Sequence, residues 1–190
     1  ELESETRRAL DGSAPEASVF AHPLAFEALP HVGTFGAAGG MTSEEEKIIA
    51  ETRKILGLAA LRVSATCVRV PVRVGHSEAV WVETERPLGP EAARAALAAA
   101  PGVVVVDDPA AAHYPLANRA AGTDPVYVGR IRRDPASENG LILWVVADNV
   151  RKGAALNAVE IAECLLGAPR VPAGARAGRP EGRGAPARGP

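Results

Sequence analysis

The chain has 190 residues, 47% of them hydrophobic and 23% charged, with a formal net charge of −2. That composition allows one main globular domain. Residues 167–190 hold five Arg and one Glu, so residues 1–166 carry a net charge of −6, which argues against nucleic acid as the main partner. Cys67 and Cys164 lie far apart without a CxxC, so neither a disulfide framework nor a metal site is indicated. No run of 18 apolar residues and no charged-then-apolar leader is present, so no membrane span or signal peptide is indicated and a cytoplasmic location is expected. The chain opens on Glu1 rather than Met, as a truncated or processed product would.

Residues 1–10 read as the end of a polar helix stopped by Asp11-Gly12, and 13–35 as a loop with Pro15, Pro23 and Pro30. A helix follows. Thr42 or Ser43 can cap it through a Thr/Ser-x-x-Glu box, Glu44, Glu45 and Glu46 complement its dipole, and Gly57 ends it. Ile48, Ile49, Ile55 and Leu56 are its expected buried side. From Leu61 to Val74 the pattern alternates as in a strand. Its apolar parity switches from Leu61, Val63, Ala65 and Cys67 to Val68, Val70, Val72 and Val74, which predicts a bulge or bend near Cys67. Arg69 and Arg73 fall opposite the valines, and Pro71 predicts an edge position or a missing ladder bond.

Gly75 breaks the pattern before His76, and a second strand is expected over 78–84. Pro90 opens an alanine-rich helix that closes by Pro101-Gly102. Three short strands follow, over 103–106, 126–131 and 141–147, and Asp148-Asn149 leads into an apolar helix running to Leu166. Ile161, Cys164, Leu165 and Leu166 are expected in its core. The order predicts an α+β fold, one mixed β-sheet covered by helices, over residues 1–166. Residues 167–190, rich in Gly, Pro, Ala and Arg, are expected to be a disordered, inert tail.

Several residues could carry chemistry. In Arg69-Val70-Pro71-Val72-Arg73-Val74-Gly75-His76, an arginine and a histidine approach a strand end where glycine permits a sharp turn. A guanidinium can fork a carboxylate and an imidazole can move a proton at neutral pH, which points to an anionic substrate. The plainer alternative is a solvated Arg face and an uninvolved loop His. Glu44 and Lys47 share a helix face, either as a surface ion pair or as a lysine offered to phosphate beside a tuning acid. Cys67 reads as a small buried hydrophobe rather than a thiol nucleophile. The glycine-rich stretch 36–40 reads as a connection rather than a phosphate cradle, because its spacing matches neither a dinucleotide nor a Walker loop.

The segment Ser64-Ala65-Thr66-Cys67-Val68-Arg69-Val70-Pro71-Val72, continued by Gly75-His76-Ser77-Glu78, resembles the signature of the aspartate-semialdehyde dehydrogenase family. Glu51-Thr52-Arg53-Lys54-Ile55-Leu56 and Asp148-Asn149-Val150-Arg151-Lys152-Gly153-Ala154-Ala155-Leu156-Asn157-Ala158 agree in order and spacing. The resemblance implies the C-terminal catalytic and dimerisation domain shared with glyceraldehyde-phosphate dehydrogenases. It implies an NADP-dependent oxidoreductase interconverting L-aspartate 4-semialdehyde plus phosphate with 4-aspartyl phosphate, on the route to lysine, methionine and threonine. It also implies His76 as acid/base catalyst, Arg69 on the substrate carboxylate, Glu44 on its amino group, Lys47 on phosphate, and Asn149 beside the nicotinamide. The implied partners are the small-molecule substrate, phosphate and a second copy in a homodimer, with tetramers among relatives.

Departures qualify the match. The family's catalytic cysteine and nucleotide loop belong to an N-terminal half with no counterpart in residues 1–35, so this chain alone is expected to be catalytically silent. Glu27 also stands where the family pattern usually has Asn. Two alternatives remain open at this point: a non-catalytic homologue kept for dimerisation, and the related N-acetyl-glutamyl-phosphate reductase.

Overall fold

The computed structural model describes residues 1–36 and 40–167. The middle of the glycine-rich stretch and the expected Arg-rich tail from residue 168 lie outside the described residues. Two compact units emerge, Glu1–Arg73 and Val74–Pro190.

The first unit is built on two helices and irregular backbone. Helix α1, Leu2–Leu10, carries Glu3 and Glu5 in its first turn and Arg7 and Arg8 in its last, matching the helix dipole. Helix α2, Ser43–Leu56, starts on the expected capping box. The Glu45 amide donates to Thr42 Oγ1 (3.4 Å) and the Thr42 amide donates to Glu45 Oε2 (2.8 Å). Gly57 ends it at φ 67°. The expected buried side does not form: Ile48, Ile55 and Leu56 are exposed, and the buried residue of α2 is Glu45. The helical period identifies the apolar stripe but not which surface covers it. Leu24, Ala25 and Leu29 supply the buried apolar side chains here. Glu5 is buried beside them, its Oε2 accepting the Leu24 and Ala25 amides at 2.8 and 3.1 Å.

The expected strand over 61–74 is also corrected. The segment is extended but forms no ladder; its one bridge joins Arg69 to Leu29. Nor is there a bulge at Cys67, because odd-numbered residues from 61 to 69 are half-buried and even-numbered ones from 62 to 70 exposed, without interruption. Val68, Val70, Val72 and Val74 therefore face outward. A tight turn with the Val72 amide on the Val70 carbonyl (2.7 Å) brackets Pro71, which has no amide to offer a ladder.

The second unit carries a four-stranded mixed sheet in the order β1-β4-β3-β2, with β1 His76–Glu83, β2 Val103–Val105, β3 Val126–Arg133 and β4 Gly140–Ala147. β4 is antiparallel to both β1 and β3, while β2 is parallel to β3. Helix α3, Pro90–Ala99, with Pro90 at its first turn, packs Ala93 against Val128, Ile131 and Leu141. A short helix, α4 Ala117–Ala120, was not foreseen in the sequence. It lies against β4, and the Trp144 indole donates to the Pro115 carbonyl just before it (3.0 Å). The fold class is thus the α+β mixed sheet that the element order predicts.

A bulge in β3 places Arg130 at φ 53°. Asp107 holds it by accepting the Arg130 and Ile131 amides at 2.6 and 3.3 Å and the Arg94 guanidinium at 2.7 Å. The last helix begins as a π-helical turn, Arg151–Ala155, and continues as α5, Leu156–Leu165. Its apolar residues are not core: Val159, Ile161, Cys164, Leu165 and Leu166 are exposed. No helix among the described residues is long and apolar enough to cross a membrane.

Gly75 enters β1 at φ +99°, where an added Cβ would stand 3.2 Å from the Ala147 carbonyl oxygen and 3.5 Å from the Ala117 methyl. Gly75→Ala should destabilise the second unit by about 1–2 kcal/mol, the cost of holding an L-residue at positive φ. Urea denaturation followed by Trp81 and Trp144 fluorescence measures it.

Candidate active site

Arg69 occupies a short piece of backbone held at two points. Its amide and carbonyl exchange hydrogen bonds with Leu29 at 2.8 Å each, and the Cys67 amide two residues earlier donates to Glu45 Oε1 at 2.9 Å. The guanidinium lies 4.3 Å from the centre of the Phe20 ring, a stacking that orients it without consuming its donors. Phe20 is positioned by Glu1, whose carboxylate accepts the Ser18, Val19 and Phe20 amides and the Ser18 hydroxyl. Arg69 lines a pocket of about 180 Å³ with Val19, Phe20, His22, Leu29 and His31. Its Nε is buried and has no hydrogen-bond partner among the described residues. A buried donor of this kind is costly unless an acceptor reaches it.

Glu44 and Lys47 project from the first turns of α2, and Lys47 Nζ meets Glu44 Oε1 at 3.2 Å. The hydrogen bond and charge of Glu44, reinforced by Glu51, push the Lys47 pKa up, so its ammonium stays charged at neutral pH. Between them in sequence, Glu45 is held below the usual carboxylate range by the Thr42 and Cys67 amides.

His76 and Asn149 belong to the second unit. His76 opens β1 in register with Ala147 at the end of β4, and its side chain is exposed. Two residues past Ala147, Asn149 is half-buried and its Oδ1 accepts the Gly75 amide at 3.1 Å. That bond joins the turn before His76 to the turn after β4, so both residues stand at one end of the sheet. It also orients the Asn149 amide, with oxygen toward Gly75 and the Nδ2 protons as the donors for another group.

Asp148 organises this end. It is buried, with Oδ2 accepting the Gly122 amide at 2.8 Å and Oδ1 accepting the Val150 and Arg151 amides at 2.9 and 3.0 Å. The Lys152 amide adds a bond to the Asp148 carbonyl (2.9 Å), and Lys152 Nζ pairs with Glu160 on α5.

The residues singled out in the sequence thus fall into two groups, Arg69, Glu44 and Lys47 in the first unit and His76 and Asn149 in the second. The supporting residues Phe20, Glu45 and Asp148 were not singled out for the site. Glu45 left a trace as the last position of the capping box, and Asp148 as the acid before a helix. Phe20 left none.

The model of the semialdehyde dehydrogenase dimerisation domain matches residues 1–152. The chain belongs to this family. It is 51% identical over 167 residues to the aspartate-semialdehyde dehydrogenase of Aquifex aeolicus, covering 87% of this chain and 49% of that protein. A crystal structure of aspartate semialdehyde dehydrogenase II complexed with ASA from Vibrio cholerae superposes with a TM-score of 0.81 at 43% identity, covering 87% of this chain and 48% of the other. The aspartate semialdehyde dehydrogenase with NADP from Candida albicans gives a TM-score of 0.59 at 26% identity, over 76% of this chain and 45% of that one. The chain spans about half the length of the relatives it matches.

In this semialdehyde dehydrogenase domain, the amide bonds from Gly122, then Arg151 and Val150, outweigh burial and lower the Asp148 pKa. Its folded pKa lies below the unfolded one, so the stability it contributes is present above the ordinary Asp range near 3.9 and is lost as pH falls through the folded value. Asp148→Asn should cost about 2–3 kcal/mol at pH 7, the scale of charge-assisted hydrogen bonds left imperfectly met. Denaturation midpoints from pH 7 to pH 3 should converge for the two proteins at the acid end.

Proposed function

We propose that this chain is the substrate-binding and dimer-forming half of a cytoplasmic, NADP-dependent aspartate-semialdehyde dehydrogenase. The whole enzyme would convert L-aspartate 4-semialdehyde, phosphate and NADP⁺ into 4-aspartyl phosphate, NADPH and a proton, serving lysine, methionine and threonine biosynthesis. The observation that carries the reading is Arg69, which lines a pocket of the first unit and whose buried Nε has no hydrogen-bond partner among the described residues. The names of the relatives, including a Vibrio cholerae enzyme complexed with ASA, support the substrate class.

In this reading, Arg69 forks the substrate's α-carboxylate, a geometry that lysine cannot reproduce. Glu44 accepts from the α-ammonium group, and Lys47 presents a point charge to phosphate. Since Lys47 is paired with Glu44 in this structure, phosphate binding exchanges one anion for another at the ammonium. His76, exposed at the start of β1, takes the proton from the attacking thiol and returns one to the leaving group. The thiol comes from a cysteine on the half of the relatives' length that this chain does not span. Cys67 is a poor candidate, half-buried with its amide tied to Glu45.

The residues present fit a nicotinamide. With Oδ1 committed to Gly75, Asn149 can donate from Nδ2 to a carboxamide oxygen. NADP supplies the hydride acceptor, and the Candida albicans relative with NADP supports that choice. Dimer formation is supported by the family's description as a dimerisation domain and by the apolar residues left exposed on Val68–Val74, Trp81 and α5.

The test is NADP reduction by the full-length enzyme with L-aspartate 4-semialdehyde and phosphate. His76→Ala should lower kcat by about 10²–10⁴, the range for a lost acid/base group. Arg69→Lys should raise the semialdehyde KM by about tenfold or more, one or two charge-assisted hydrogen bonds being worth that much. An inert full-length wild type, or one active only on N-acetyl-glutamate semialdehyde, would overturn the reading.

A further inference from the structure

Three of the proposed substrate-binding residues sit on two pieces of chain with little apolar packing to align them. α2, which carries Glu44 and Lys47, exposes Ile48, Ile55 and Leu56, and its buried residue is Glu45. The segment that carries Arg69 has a single backbone bridge, to Leu29. At the N-terminal end of α2, Glu45 spans both pieces, with Oε2 accepting the Thr42 amide (2.8 Å) and Oε1 the Cys67 amide (2.9 Å). A second tie, from Arg53 Nε to the Leu61 carbonyl (2.8 Å), lies at the far end of the helix. Near the proposed binding residues, the Glu45 carboxylate thus ties the helix to the extended segment.

We infer that Glu45 is a positioning residue, whose two backbone hydrogen bonds set the placement of Glu44 and Lys47 relative to Arg69 and so the binding of substrate and phosphate. Glu45 is buried, with each carboxylate oxygen engaged by a backbone amide. The inference rests on the proposed roles of those three residues. It adds a residue that an ordinary capping box would leave with only a helix-stabilising part.

Both functions can be separated. Glu45→Gln retains one carbonyl oxygen and turns an NH₂ group toward the second backbone amide, so donor faces donor and one tie is lost. Thr42→Ala removes the Oγ1 acceptor of the box (3.4 Å to the Glu45 amide) while leaving both Glu45 bonds to backbone amides in place. In the full-length enzyme, Glu45→Gln should raise KM for both L-aspartate 4-semialdehyde and phosphate by about tenfold, the scale of one charge-assisted hydrogen bond, with kcat nearly unchanged. Thr42→Ala should lower the melting temperature and leave both KM values as in wild type.

If Glu45→Gln is too unstable to assay, Glu45→Asp carries the same comparison, since it keeps the charge and falls one methylene short of Cys67. An active wild type whose Gln or Asp variant keeps wild-type KM values would overturn the positioning role and leave the proposed function standing. So would a Thr42→Ala variant with the same KM increase, because capping alone would then account for it. A wild type without turnover removes both together.

Discussion

Irregular backbone in this protein is held by buried carboxylates, and the segments that carry several of the proposed site residues are tied by them. A backbone amide outside helix or ladder needs an acceptor, and an ionised carboxylate can serve two or three at once. Glu45 joins Thr42 to Cys67, Asp148 joins Gly122 to Val150 and Arg151, Glu5 holds Leu24 and Ala25, and Asp107 holds the β3 bulge. In each case the acid and some of its amides are far apart in sequence. The tie is tertiary structure made by one side chain. A buried charge is expensive, but a charge that accepts several backbone amides replaces its lost hydration with fixed dipoles.

The apolar residues tell a complementary story. The sheet and α3 close a conventional small core around Val128, Ile131 and Leu141, yet the valines before Gly75, Trp81 on β1 and the apolar side of α5 remain exposed. Large exposed apolar patches are uncommon on monomeric soluble proteins. The family is a dimerisation domain and the chain spans half the length of its relatives.

Elements are legible in the sequence where the signal and the hydrogen-bond partner that realises it both lie in this chain. The α2 cap, Gly57, Pro90 and the strands over 103–106, 126–131 and 141–147 are local signals, realised by capping bonds at the helices and by the β1-β4-β3-β2 ladders at the strands. The sequence predicts burial of Ile48, Ile55 and Cys164, which the structure leaves exposed, because amphipathic periodicity marks an apolar stripe without naming its partner. The run from Leu61 to Val74 has strand periodicity, but a strand exists only through a neighbour's ladder, and Pro71 and the lone Leu29 bridge leave it none. For the site, Arg69 and His76 were visible as chemistry near a glycine. Their proposed roles came from family resemblance, and Glu45 and Asp148 stayed hidden because a contact from 45 to 67 or from 122 to 148 has no periodic signature.

Each unit prepares the proposed site residues that it carries. Groups that would hold a charged substrate belong to the first unit and groups that would serve proton transfer and the nicotinamide to the second, and each set has its own internal carboxylate clamp. Holding side chains in place before the ligand arrives lowers the entropic cost of reaching a reactive geometry. Long side chains such as Arg69 and Lys47 lose substantial freedom on binding unless something has already ordered them. Phe20 does this for the Arg69 guanidinium, Glu44 for the Lys47 ammonium, and Gly75 for the Asn149 amide. In each case one atom of the functional group is engaged by a neighbour while others keep the direction in which a ligand would meet them. Preorganisation here rests on single directional contacts rather than on a dense apolar surround.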